Sequence, residues 1–328
     1  MPQPAVNTAP SPAVPSSQLT LAVVARESVA DEVVALTLAD PGGKRLPDWT
    51  PGAHIDLVLP EGGTRQYSLC GDRWNPYTYR VGVLRERDGR GGSDFVHRQL
   101  SEGTPIGVGG PRNNFRLVPA QRYVFVAGGI GITPMLPMLK SAALLGAEAE
   151  LLYLGRSRKT MPFLGELASY GDNVKVLPKD EHGPVDLPSL LGDYLPGTKV
   201  YVCGPQRMLD TITKHCADWP EGSVRTEHFA AKQQGAPVRK EAFELELSRS
   251  GKTLVVEPGI SVLDAIQSVG VNVLSSCRTG TCGTCEATVI AGTPDHRDSI
   301  LTEAEQAAGD CMFPCVSRSC TDRLVLDL

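Results

Sequence analysis

The chain has 328 residues, a length that suits two or three domains rather than one. Its net charge of -5 offers no concentrated basic patch for nucleic acid, and fits docking on a partner through an acidic face. No run of about 18 apolar residues occurs, so no membrane-spanning helix is expected.

Residues 1–17 read MPQPAVNTAPSPAVPSS, and their Pro, Ala and Ser content buries little surface. A disordered lead is expected there. The segment has neither the basic region nor the apolar core of a signal peptide, so a cytoplasmic location is expected. From 18 to 117, runs with strand character follow one another between Gly and Pro: LTLAVVARE, DEVVALTLA, HIDLVLP, RQYSLCG and YRVGVLRER. Their spacing predicts a small antiparallel barrel. Arg65, Gln66, Tyr67 and Ser68 lie within one run. Tyr67 can cover an aromatic ring, Ser68 can donate or accept, and Arg65 can pair with phosphate. By composition alone the same run is also an ordinary strand with alternating side chains. Gly91, Gly92 and Ser93 precede the helical pattern DFVHRQL, where either an anion-binding helix N-terminus or a plain surface turn fits.

From 118 to 230 strands alternate with helices, which predicts a parallel sheet covered by helices. The apolar run Tyr123–Ala127 ends in Gly128-Gly129-Ile130-Gly131-Ile132-Thr133-Pro134. Thr133 is expected to cap a helix with Pro134 at its first position. The glycines allow close backbone approach to a pyrophosphate, although a tight strand-to-helix turn also uses them. Cys203, Gly204 and Pro205 end another strand, at the edge where such sheets bind ligands. Arg156 and Arg158 follow a third strand and read equally as phosphate contacts or solvated surface cations.

Residues 231–240 read as a polar linker, and 241–328 as a small α+β module. FELELSR and KTLVVEP form a hairpin, Ser261–Asp264 and Thr302–Glu305 are capping-box patterns, and RLVLDL is a closing strand. Six of the nine cysteines lie after residue 270, which is the clustering a metal site produces. Cys277, Cys282 and Cys285 have the C-x4-C-x2-C spacing of a plant-type [2Fe–2S] centre. Structural zinc is the competing reading, but it favours two separated C-x2-C pairs. A fourth ligand must come from Cys311, Cys315 or Cys320. Cys315 is preferred because its apolar segment MFPCVSR can pack beneath the loop.

Taken in order, RQYS, GGIGITP, CGPQRM and CRTGTCGTC followed by MFPCVSR resemble the ferredoxin–NADP reductase superfamily. The nearest branch is that of phthalate dioxygenase reductase and vanillate O-demethylase reductase. The resemblance implies a multidomain chain: an antiparallel flavin barrel, an α/β nucleotide domain with a parallel sheet, and a β-grasp ferredoxin. It implies FMN in preference to FAD, NADH with NADPH as an alternative, and a [2Fe–2S] cluster on Cys277, Cys282, Cys285 and Cys315. Arg65, Gln66, Tyr67 and Ser68 match the flavin motif. Gly82, Val83 and Leu84 match backbone beside the ring, and Gly91, Gly92 and Ser93 match the flavin-phosphate loop. Gly129, Gly131, Thr133 and Pro134 match the nucleotide loop. Cys203, Gly204 and Pro205 match the nicotinamide wall, and Phe229 matches an aromatic shield. Ser68, Thr133 and Cys203 are the residues placed nearest the reaction.

The implied chemistry passes hydride from a nicotinamide to the flavin, and then single electrons through the cluster. The expected partner is a separate terminal oxygenase, of the Rieske non-haem iron class, with the reductase a monomer. A P450 or another acceptor is the alternative, and a non-enzymatic redox sensor is a further one.

Overall fold

The computed structural model describes residues 19–60, 63–87, 89, 91–229 and 234–328. The expected lead at 1–17 and residues 231–233 of the expected linker lie outside them.

The first unit is a six-stranded sheet of β1 (Leu19–Ala30), β2 (Val33–Ala39), β3 (His54–Val58), β4 (Thr64–Ser68), β5 (Thr78–Leu84) and β6 (Pro105–Arg112), with α1 (Gly92–Gln99) between the last two. The order is β4-β3-β6-β1-β2-β5, antiparallel at every pairing. A bridge between Leu69 and Val81 joins the two edges and curls the sheet closed. Irregular register in β1 assists the bend. Leu21, Leu36, Ile55, Leu57, Val81 and Val108 fill the interior, each inaccessible to solvent. Burying such a side chain contributes about 1.5–3 kcal/mol. Strand β6 was not among the expected runs. Its sequence PIGVGGPR has weak strand character, and it is held by pairing with β1 and β3.

The second unit contains β7 (Arg122–Gly128), α2 (Met135–Leu144), β8 (Glu148–Gly155), α3 (Leu164–Leu167), β9 (Val174–Pro178), α4 (Lys179–His182), α5 (Leu187–Leu191), β10 (Thr198–Cys203), α6 (Gln206–His215) and β11 (Val224–Glu227). Its strands run parallel in the order β11-β10-β7-β8-β9. The chain leaves β7 toward β8 on one side and returns as β10 on the other. The carboxyl ends of β7 and β10 therefore flank a crevice where strand order reverses. Thr133 does not cap the helix as expected. Gly129–Ile132 form a 3-10 turn, Pro134 takes the cap position without a side-chain bond, and Thr133 Oγ1 donates to the Ile130 carbonyl at 2.9 Å. The tight turn satisfies that hydroxyl locally.

The third unit contains β12 (Phe243–Leu247), β13 (Lys252–Val256), α7 (Val262–Ser268), β14 (Ala287–Ala291), β15 (Pro294–Asp295), α8 (Glu303–Ala308), β16 (Cys311–Met312), β17 (Arg318–Ser319) and β18 (Arg323–Leu326). The main sheet has the order β13-β12-β18-β14-β16, with the closing strand parallel to the first. Ser261 and Thr302 cap their helices as their patterns predict.

Apolar packing is continuous between the first two units. Ala35, Cys70 and Phe115 join Phe125, Met138 and Tyr201 in one buried cluster. Arg80 adds a polar tie, pairing with Glu166 at 2.7 Å while its guanidinium lies 5.1 Å from the Phe163 ring centroid.

Candidate functional site

Three units meet at one cavity of about 410 Å³. The barrel contributes Arg65, Gln66, Tyr67, Ser68, Gly82 and Leu84, and Gly92 and Ser93 come from the start of α1. The nucleotide unit supplies Thr133 and Phe229, and the cysteine loop supplies Thr279 and Thr281. Alternation along β5 turns Gly82 and Leu84 to the cavity, whereas the Val83 side chain is fully buried in the barrel core. The Val83 carbonyl lies 2.9 Å from the His97 ring. Gly82 has no room for a side chain: a Cβ there would stand 2.9 Å from the Thr133 methyl. At Gly92 a Cβ would stand 2.5 Å from Arg65 Nε. The barrel wall is thus pared to backbone where a planar group would lie. Gly91 supplies the left-handed residue before α1 but does not line the cavity.

A second cavity, of about 590 Å³, lies over the carboxyl ends of the parallel strands. Gly129, Gly131, Gly204 and Pro205 line it, with Arg156 and Lys179 at the ends of β8 and β9. A Cβ on Gly131 would fall 2.2 Å from the Cys203 carbonyl oxygen, so the glycine loop seats directly on the end of β10. Arg158 does not line this cavity; it pairs with Glu181 at 2.9 Å. Pro134 lines neither cavity and starts α2.

Cys203 is fully buried and reaches neither cavity, with its thiol 4.0 Å from Glu227 Oε2. Burial, and then the Glu227 charge, push that thiol well above its ordinary range. No local sequence pattern marks Glu227. It ends β11 two residues before Phe229, and it lines the first cavity. Its side chain touches that open space, yet protein encloses the carboxyl on its other sides, and burial pushes it up to about 8. His54, also not anticipated, lines the same cavity from β3. Burial first, and then the Arg112 charge, hold it down to about 4.

Cys277, Cys282, Cys285 and Cys315 converge, each 9% exposed or less. The contacts run as a chain: Cys277 touches Cys282 and Cys315, and Cys315 touches Cys285. No group of three or more His, Cys, Asp or Glu among the described residues closes around a single metal ion. Four thiols linked in such a chain instead form a donor set that would suit a two-iron sulfur cluster. Backbone N–H groups of Thr279 and Thr281 point at Cys277 Sγ from 3.3 and 3.4 Å, which favours the thiolate. Hydrogen bonds from the Cys282 and Cys315 thiols drive Cys277 strongly down. Gly280 and Gly283 both have φ near +72°, and a Cβ on Gly280 would stand 2.6 Å from Val316. Cys311 begins β16, and Cys320 lies 3.7 Å from the Pro294 carbonyl oxygen; neither contacts the four.

Residues 245–320 match the model of the 2Fe-2S iron-sulfur cluster binding domain. The chain is 43% identical over 301 residues to phenoxybenzoate dioxygenase subunit beta of Ectopseudomonas oleovorans, covering 91% of this chain and 94% of that protein. The crystallised phthalate dioxygenase reductase is 36% identical, with a TM-score of 0.69 over 95% of this chain and 98% of its own. The chain belongs to the phthalate dioxygenase reductase family. It is an NAD(P)H-dependent flavin and iron–sulfur oxidoreductase, the reductase component of an oxygenase system. The reductase fold also resembles part of an intact type IV self-sufficient cytochrome P450 monooxygenase, at 44% identity and a TM-score of 0.89 over 95% of this chain. The reductase spans 41% of that P450 chain. FMN, a [2Fe–2S] cluster and NAD(H) are the cofactors of the family, and the pared barrel wall, the strand-end cleft and the four thiols fit them.

Proposed function

We propose that this reductase takes hydride from NADH onto FMN held in the 410 Å³ cavity, and passes electrons one at a time through the cluster to a separate Rieske-type oxygenase. The observation that carries this reading is the joint lining of that cavity by Ser68, Thr133 and Thr279, one from each unit. When bound, the flavin supplies the exchange between a two-electron donor and a one-electron acceptor.

The chain's own residues position and shield. Arg65, with Gly92 and Ser93 at the start of α1, holds the flavin phosphate. Tyr67 and Phe229 cover the ring faces, and Phe229, 46% exposed, moves aside for the nicotinamide. Ser68 is buried at the cavity wall, where its hydroxyl can bond the ring edge that receives hydride. Gly129, Gly131, Gly204 and Pro205 hold the dinucleotide backbone against the strand ends, where Cβ atoms would block it. Thr133 bridges the two cofactor sites. Cys203 acts from behind the wall through Glu227, because its thiol does not reach the cavity. Cys277, Cys282, Cys285 and Cys315 hold the cluster.

The experiment is anaerobic rapid mixing with NADH and, separately, NADPH. It should show flavin reduction followed by cluster reduction, with NADH faster. Arg156 and Lys179 favour NADPH if that order reverses. A second reading, delivery to a P450, is favoured by the 44% identity to the reductase part of the fused P450. Reconstitution with a Rieske oxygenase and with a P450 separates the two.

A further inference from the structure

The cluster ligands have two different outlooks. The loop carrying Cys277 faces the flavin cavity through Thr279 and Thr281. Cys315 lines a separate open cleft of about 240 Å³. That cleft is walled by Arg239, Lys240, Arg297 and Arg318, and no carboxylate is among its described lining residues. Ile260, 46% exposed, supplies an apolar side chain to the same cleft.

The cations are held in place. Arg318 donates to the Ile260 carbonyl at 2.7 Å, and its guanidinium lies 5.3 Å from the Phe243 ring centroid. Arg297 donates to the Gly235 carbonyl at 2.6 Å. Asp322 pairs with Arg239, and Asp295 lies 3.7 Å from Arg297. Lys240 is exposed and makes no ion pair among the described residues. A protein of net charge -5 thus gathers four cations and an exposed apolar side chain in one cleft beside its fourth cluster ligand. Interfaces commonly pair apolar contacts with charged ones.

We infer that the Cys315 cleft is the electron exit, a docking surface for an acidic patch on the acceptor protein. This rests on the reading that electrons leave from the cluster. Each transfer oxidises the reductase by one electron and reduces the acceptor's metal from ferric to ferrous, with no bond made and no proton moved. The cleft shares no lining residue with the flavin cavity, so a partner can dock there without entering the flavin site, and the sign of its charge selects that partner.

The test uses the full holoprotein and two one-electron acceptors of opposite charge: cytochrome b5, with an acidic face, and cytochrome c, with a basic one. Lys240→Glu should lower kcat/KM for cytochrome b5 by about threefold or more at low salt and not for cytochrome c. Lys240→Arg should keep the wild-type rate. Lys44→Glu, an equal charge change on an exposed barrel lysine, should leave cytochrome b5 reduction unaltered. An unchanged rate in Lys240→Glu, or an equal loss in Lys44→Glu, overturns the exit. Carbodiimide cross-linking to oxidised cytochrome b5, mapped by mass spectrometry, should join Lys240 and not Lys44; the reverse map also overturns it. Cross-linking needs no electron flow, so it decides the cleft even where NADH fails to reduce the cluster, a failure that would instead sink the assigned activity.

Discussion

The Gln66 side-chain nitrogen lies 2.8 Å from the Ser276 hydroxyl, joining the flavin barrel to the residue just before the first cluster ligand. The same nitrogen donates to Asp56 at 2.7 Å, and Asp56 pairs with Arg112. Thr64 donates to the Ser276 carbonyl at 2.9 Å. The hydrogen bonds from Gln66 and Thr64 to this one loop residue dock the cluster loop on the flavin wall.

Ser276→Ala is expected to remove the Gln66 bond, worth about 1 kcal/mol, and to raise the undocked population about fivefold. In rapid mixing the flavin-reduction phase should stay as it is, while the cluster-reduction phase slows. Faster hydrogen exchange at 276–285 should accompany it. Equal slowing of both phases would mean that the bond does not serve docking.

Ser68 is 4% exposed at the wall of the first cavity. Ser68→Ala should keep flavin bound and slow its reduction by NADH about tenfold, near 1.4 kcal/mol. A wild-type reduction rate in that variant would remove Ser68 from the hydride step.

Cys315 touches Cys277 and Cys285, whereas Cys311 and Cys320 stand apart. Visible absorbance and iron content should collapse in Cys315→Ala and remain in Cys311→Ala and Cys320→Ala. The opposite pattern would reassign the fourth ligand.

Burial pushes Glu227 up to about 8 from its ordinary 4.5. The neutral acid prevails at neutral pH, and the carboxylate forms as pH rises through that value. Hydride brings negative charge into the cavity, and a carboxylate there opposes it. Flavin reduction should be level near neutrality and fall above pH 8, whereas Glu227→Gln should hold its rate to about pH 9. The linked stability term has the same sign: it is complete below 4.5 and is lost as pH rises through about 8. A fall in rate that persists in the Gln variant belongs to another group.

Motifs carried by local chemistry were legible. Cys277, Cys282 and Cys285 sit close in sequence, so their spacing alone restricts what they can hold. Ser261 and Thr302 cap helices that begin one residue later, a contact made within a single turn. Thr133 shows the limit of such reading, because a cap and a 3-10 turn start from similar residues, and the close seat of Gly131 on the end of β10 is a long-range contact that neighbouring residues do not reveal.

The order of three units and the ligand spacing were determined along the chain, because periodicity and short-range hydrogen bonding are properties of neighbours. Strand β6, the place of Glu227 beside Cys203, the Gln66–Ser276 bond and the cationic cleft beside Cys315 were decided by tertiary structure alone. Gln66 and Ser276 are 210 residues apart, and Cys203 and Glu227 are 24 apart. No local pattern encodes such meetings; they exist only once separate cores have packed and fixed which surfaces face each other.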